Sequence, residues 1–171
     1  PSTDTFVLIA APHTSNWDLV YMLAIAFVLD VKINWMGKDS LFKPPFGFML
    51  KWLGGVAIDR SKANNVVQAM ADEFTGRDSL VLAVPPSGTR SRREYWKSGF
   101  YYIARIANVP IVMGYLDYAN KVGGFGPHLT PTQDMSADMD QVRAFYATAA
   151  GKFPDMVTPA RLRAEDEGEG E

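Results

Sequence analysis

Apolar residues along this chain fall into short unbroken runs that alternate with segments of helical spacing, and polar clusters separate the two. Thr5 to Ala11 (TFVLIAA) has no helical period, the pattern of a strand covered on both faces of a sheet. The spacing then predicts a loop over Pro12 to Asn16 and a helix to about Asp30, opened by Ser15 with Asp18 three residues on, as in a capping box. Val31 to Met36 reads as a second strand. Asp39 to Leu53 reads as helical but broken at Lys43-Pro44-Pro45-Phe46-Gly47, because proline can begin a helix and cannot continue one.

The alternation continues with a strand over Val56 to Asp59, a helix over Asn64 to Phe74 and a strand over Ser79 to Val84. A loop over Pro85 to Glu94 leads into a helix from about Tyr95 to Ala107 and a strand from Pro110 to Tyr118. Lys121 to Leu129 is a Gly-rich extended or hairpin segment, and Met135 to Ala150 an amphipathic helix with Asp134 as its cap. The pattern predicts an α/β fold: a single layered domain with a mostly parallel central sheet flanked by helices, and a site at the carboxyl ends of the strands. Residues 1–158 are expected to form this domain and 159–171 an acidic disordered tail.

Composition narrows the classes. A length of 171 residues suits one domain, and 47% apolar with 21% charged residues excludes a disordered or fibrous chain. Absence of cysteine removes disulfides and thiolate metal sites and favours a cytoplasmic setting. No basic segment followed by an apolar stretch of export type opens the sequence. The longest apolar run, Leu19 to Leu29, is about half of the roughly 20 residues that cross a bilayer, so no span is expected. The net charge of −2 includes five acids among the last seven residues, so the rest is mildly basic and suited to an anionic substrate or membrane surface.

Candidate chemistry begins with His13, placed just after the first strand, and Asp18 five residues later. A carboxylate that accepts from one imidazole nitrogen leaves the other free to take a proton from a hydroxyl. The bland alternative has His13 bonded to backbone and Asp18 satisfying helix amides. Arg60, in Gly54-Gly55-Val56-Ala57-Ile58-Asp59-Arg60-Ser61, and Arg90, in Pro85-Pro86-Ser87-Gly88-Thr89-Arg90-Ser91, each follow a strand, where a guanidinium fork suits a phosphate; taken singly, either is an ordinary surface arginine.

The succession H-T-S-N-W-D, G-V-A-I-D-R, P-P-S-G-T-R-S and V-P-I-V resembles the four motifs of the lysophosphatidate and glycerol-3-phosphate acyltransferase family, over about residues 5 to 118. The resemblance implies His13 as general base and Asp18 as its orienting carboxylate. It implies Arg60 and Arg90 at the acceptor phosphate, with Ser87, Gly88, Thr89 and Ser91 completing the third motif, and no metal or resident cofactor. The implied partners are an acyl thioester donor, acyl-CoA or acyl carrier protein, and a phosphate-bearing or lysolipid acceptor, with no nucleic acid. Lys97, with Arg92 and Arg93, adds positive charge for coenzyme A or the carrier, or else forms a solvated basic face.

The family's third motif usually carries a glutamate where this chain has Ser87. That loses a charged acceptor, and a second reading follows: a lipid- or acyl-carrier-binding module without turnover. A hydrolase triad of Ser87, His13 and Asp18 is disfavoured because Pro-Pro-Ser-Gly lacks the Gly-x-Ser-x-Gly elbow. Leu41 to Leu53 mixes apolar anchors with lysines, as a surface in peripheral contact with the inner face of a membrane would; helical core is the competing expectation. His128 and the aromatic cluster Tyr95, Trp96, Phe100, Tyr101 and Tyr102 are expected to be structural.

Overall fold

The computed structural model describes residues 5–58 and 63–167. Six strands form one sheet in the order β3-β2-β4-β1-β5-β6, with β1 Thr5–Ala11, β2 Ile33–Lys38, β3 Gly55–Ile58, β4 Leu80–Val84, β5 Ile111–Asp117 and β6 Val122–Leu129. Every neighbouring pair is parallel except β5 and β6, which run antiparallel as the Gly-rich segment folds back on the edge. The helices are α1 Trp17–Val28, α2 Gly47–Trp52, α3 Ala63–Asp72, α4 Gly99–Ala107, α5 Met135–Tyr146 and α6 Arg163–Glu167.

Strand alternation divides the core. Val7, Ile9, Leu80, Leu82, Ile111 and Met113 pack against Phe100, Tyr101, Ile103 and Met139 from α4 and α5. On the other face Leu8, Val81 and Ala83 meet Ala26 of α1 and Trp35 of β2 in a much smaller cluster. Right-handed crossovers account for this division: the chain moves outward from β1 to β2 to β3 with helices on one face, then returns through β4 to β5 with helices on the other. Of the aromatic cluster Trp96, Phe100 and Tyr101 lie in the larger core as expected, whereas Tyr95 is half-buried and Tyr102 is exposed. Asp134 caps α5 by accepting from Ala137 N at 3.0 Å.

Two boundaries shift under the C-terminal segment. The helix expected from Tyr95 begins only at Gly99: Trp96 N donates to Arg161 O at 2.8 Å, and a β-bridge to Leu162 holds Trp96 out of helical backbone. The helix expected to run to Ala150 ends at Tyr146. The order expected to fade after Pro159 instead continues: Leu162 is completely buried, pairs with Trp96 as an isolated β-bridge, and leads into α6. Trp96 Nε1 donates to Thr158 O and Arg93 N to Thr158 Oγ1, so the segment is tied down along its length. Leu162→Ala is therefore expected to cost about 2–5 kcal/mol in urea unfolding; a loose tail would leave the midpoint unchanged.

Candidate active site

Strands β1 and β4 lie side by side, yet the chain leaves β1 toward α1 on one face and leaves β4 toward α4 on the other. Loops that diverge in this way open a crevice beyond the carboxyl ends of the strands, the usual place for a site in an open α/β sheet. The β1 loop carries His13 and the β4 loop carries Ser87 to Arg90.

At the head of α1, Asp18 is 5% exposed and takes four donors. Its Oδ2 lies 3.1 Å from His13 Nδ1 and accepts from Thr14 N and Ser15 N, each at 2.8 Å. Its Oδ1 accepts from the Tyr118 hydroxyl at 2.6 Å. One carboxylate thus accepts from two loop amides just before α1 and holds the imidazole, while the residue at the helix start is Asn16 and not the expected Ser15. Burial acts to raise its pKa, but the bonds from His13, Tyr118, Ser15 and Thr14 outweigh it and hold the carboxyl below its ordinary 3.8. An ionised carboxylate only accepts, so Nδ1 carries the hydrogen and the lone pair is at Nε2.

His13, with 23% of its side chain exposed, borders two cavities. The larger, about 610 Å³, runs between α1, α2 and the thin face of the sheet, lined by Met22, Ile25, Trp35, Leu50 and Phe125. Small residues make the room: Ala10, Ala83 and Gly114 stand where bulkier side chains would fill it. Gly88, Thr89 and Arg90 line the same cavity, and Arg90 Nη1 donates to Asn16 Oδ1, which joins the third-motif loop to the start of α1. Gly88 has φ +64°, and a Cβ there would come within 3.0 Å of Lys97 Cε, so this close turn calls for glycine.

The remaining expected site residues are distributed differently. Ser87, buried, donates to Thr89 O at 2.7 Å and lines the smaller cavity of about 250 Å³ on the other side of His13. Its hydroxyl thus shapes the turn and is not aimed at the imidazole. Ser91 is exposed, with its N–H 3.4 Å from Thr89 Oγ1, and the exposed Lys97 covers Gly88 from outside; neither lines the larger cavity. Arg60 lies outside the described residues. His128 is exposed on the edge strand β6. Among the described residues no cluster of His, Cys, Asp or Glu could hold a metal ion.

Tyr118 was the functional position that motif reading passed over, since it sits 100 residues from Asp18 and belongs to no motif. Its place at the end of a strand adjoining β1 is the signal that could have found it, once the strand order is known. The outer face of α1 is also unusual: Trp17, Val20, Tyr21, Phe27 and Val28 are all about half exposed or more. In α2 and the turn before it Phe46 is 65%, Phe48 83% and Trp52 78% exposed, while Phe42 and Leu50 pack against the smaller core, so the stretch has one apolar face in the core and another in solvent.

Comparison with known proteins gives the family and the fold. An acyltransferase family model matches residues 2–114. The chain is 32% identical over 107 residues to a 1-acyl-sn-glycerol-3-phosphate acyltransferase of Haemophilus influenzae, covering 58% of the chain and 43% of the relative. It is 31% identical over 114 residues to the enzyme of that name from Streptococcus pneumoniae, covering 66% and 42%. It therefore spans less than half the length of these curated relatives. The crystal structure of the 1-acyl-sn-glycerophosphate (LPA) acyltransferase PlsC from Thermotoga maritima shares the fold, with a TM-score of 0.54 and 17% identity over 86% of this chain and 65% of that one. Because the family model covers most of its length, the chain belongs to the acyltransferase family.

Proposed function

We propose that the protein transfers a fatty acyl group from an acyl thioester, acyl-CoA or acyl carrier protein, to a hydroxyl of a glycerophosphate, lysophosphatidate or related lysolipid. The observation that carries this reading is the single cavity bordered by His13, Asp18, Gly88, Thr89 and Arg90 and continued by an apolar lumen. Its volume lies within the roughly 300–1,000 Å³ of small-molecule sites, and each methylene of a chain buried there contributes about 0.8 kcal/mol. In the reaction, His13 Nε2 takes the acceptor's hydroxyl proton while that oxygen attacks the thioester carbonyl. The tetrahedral intermediate collapses, the carbon–sulfur bond breaks, and His13 returns the proton to the departing thiolate. Asp18 supports the imidazolium between those steps. Arg90, oriented by Asn16, presents its other N–H groups to an acceptor phosphate, with Arg60 assigned beside it by the motif alone.

The exposed apolar faces of α1 and α2 flank this lumen, and Lys43 and Lys51 stand among them in water. We assign this surface to peripheral contact with an anionic membrane leaflet, the inner one in the cytoplasmic setting the composition favours, so that lipid substrates enter without crossing water. Among the described residues no helix is long and apolar enough to span a membrane. The double substitution F48S/W52S is expected to lower sedimentation with vesicles of mixed neutral and anionic phospholipid at least fivefold, with activity toward a short-chain water-soluble donor kept; unchanged sedimentation would remove this assignment.

Ser87 sustains the second reading, a binding module without turnover, because the motif acid is missing. A panel of acceptors assayed with acyl-CoA and acyl carrier protein decides between them. The native chain is expected to turn over, His13→Ala to lose about 10²–10⁴-fold while staying folded, and Ser87→Glu to change turnover by less than tenfold. Undiminished transfer by His13→Ala refutes the base assignment. A native chain that binds donor without turnover and gains it through Ser87→Glu establishes the module.

A further inference from the structure

We infer that Tyr118 is a positioning residue for this transfer, its hydroxyl holding the second oxygen of Asp18 so that the carboxylate presents a fixed edge to His13 Nδ1. The inference rests on the proposed function and deepens it. Three of the four donors to Asp18 come from the loop that carries His13 itself, and all three share Oδ2. Bonds to one oxygen leave the carboxylate free to swing, because the terminal torsion of aspartate is broad and weakly restrained. Among the described residues Tyr118 supplies the only donor from outside that loop, at 2.6 Å on Oδ1, and two oxygens bound from different directions fix the plane.

The hydroxyl is itself well anchored. Tyr118 N donates to Ala150 O at 2.9 Å, and its ring meets Tyr21 edge-on with centroids 5.9 Å apart. Immediately before it, Asp117 accepts from Ala119 N, Asn120 N and Asn120 Nδ2, closing the turn that ends β5. The dyad is thus tied to the central sheet through a strand hydrogen-bonded to β1. Burial, and then the Asp18 carboxylate, push the Tyr118 hydroxyl far above its ordinary range, so it stays a donor throughout the working range of an imidazole.

A donor on Asp18 also draws off part of the negative charge that would otherwise act on His13. Removing it leaves a more strongly attracting carboxylate beside the imidazole, so the acid limb of activity moves up. Other titratable groups around the dyad are Tyr21 on α1, Tyr115 on β5, Arg90 through Asn16, Lys152 beside Trp17, and Arg143 and Tyr146 at the smaller cavity. Substitution of Tyr118 by phenylalanine leaves all of them in place and keeps the ring against Tyr21.

Steady-state kinetics of Y118F over a range of pH, with acyl-CoA and lysophosphatidate, test the inference. We expect kcat about tenfold lower, KM within about twofold, and the acid limb of kcat/KM higher by several tenths of a pH unit. A wild-type kcat and an unmoved acid limb in folded Y118F would overturn it, since packing of the ring alone survives the substitution. If Y118F does not fold, a trifluorotyrosine at position 118 strengthens the donor without changing its shape; the acid limb must then move down, and an unmoved limb overturns the inference. His13→Ala measured alongside separates the two levels: activity that depends on His13 and ignores Tyr118 defeats only this inference, whereas activity independent of His13 defeats the proposed function with it.

Discussion

A buried carboxylate with four hydrogen-bond donors holds this site together. Asp18 can remain ionised at 5% exposure only because His13, Tyr118 and two backbone amides compensate for the water it has lost. The donors come from two elements that must both be in place, the loop after β1 and the end of β5, while Asp18 itself stands in the first turn of α1. Loss of one partner exposes the others to an uncompensated charge, so catalytic geometry and local stability are coupled at this residue. The C-terminal segment reinforces it, since Phe153 N donates to Thr14 Oγ1 at 3.2 Å and Ala150 O holds Tyr118 N.

The sheet decides where this carboxylate sits. Because β1 and β4 are neighbours whose chains depart to opposite faces, the two motif loops are set side by side beyond the strand ends with no helix between them. The face under α1 and α2 carries small residues at Ala10, Ala83 and Gly114, so its core is thin and an apolar lumen remains beneath the dyad. Opposite, α4 and α5 close a dense core around Phe100, Tyr101 and Met139. One face supplies rigidity and the other supplies room.

Much of this was legible in the residues. The β1 run, the break at the paired prolines, the Asp134 cap and the dyad all depend on neighbours in the chain, where period and spacing carry the information. Interactions between distant segments were not legible. The late start of α4 depends on Arg161 taking the Trp96 amide, and the docking of Leu162 depends on a groove that exists only after folding. Ser87 was grouped with its loop neighbours because sequence order cannot show that successive residues of a turn face different cavities. Tyr118 was missed because its partner lies 100 residues away.

The chain has only two histidines, one held by Asp18 and one exposed on an edge strand, so nitrogen-15 spectra of the imidazoles test the central claim directly. At alkaline pH, where both imidazoles are neutral, His13 is expected to show a protonated Nδ1 and an unprotonated Nε2, while His128 shows the averaged tautomers of an exposed side chain. A His13 protonated at Nε2, or averaged like His128, would contradict the account, because the lone pair assigned to proton transfer would then be turned toward Asp18.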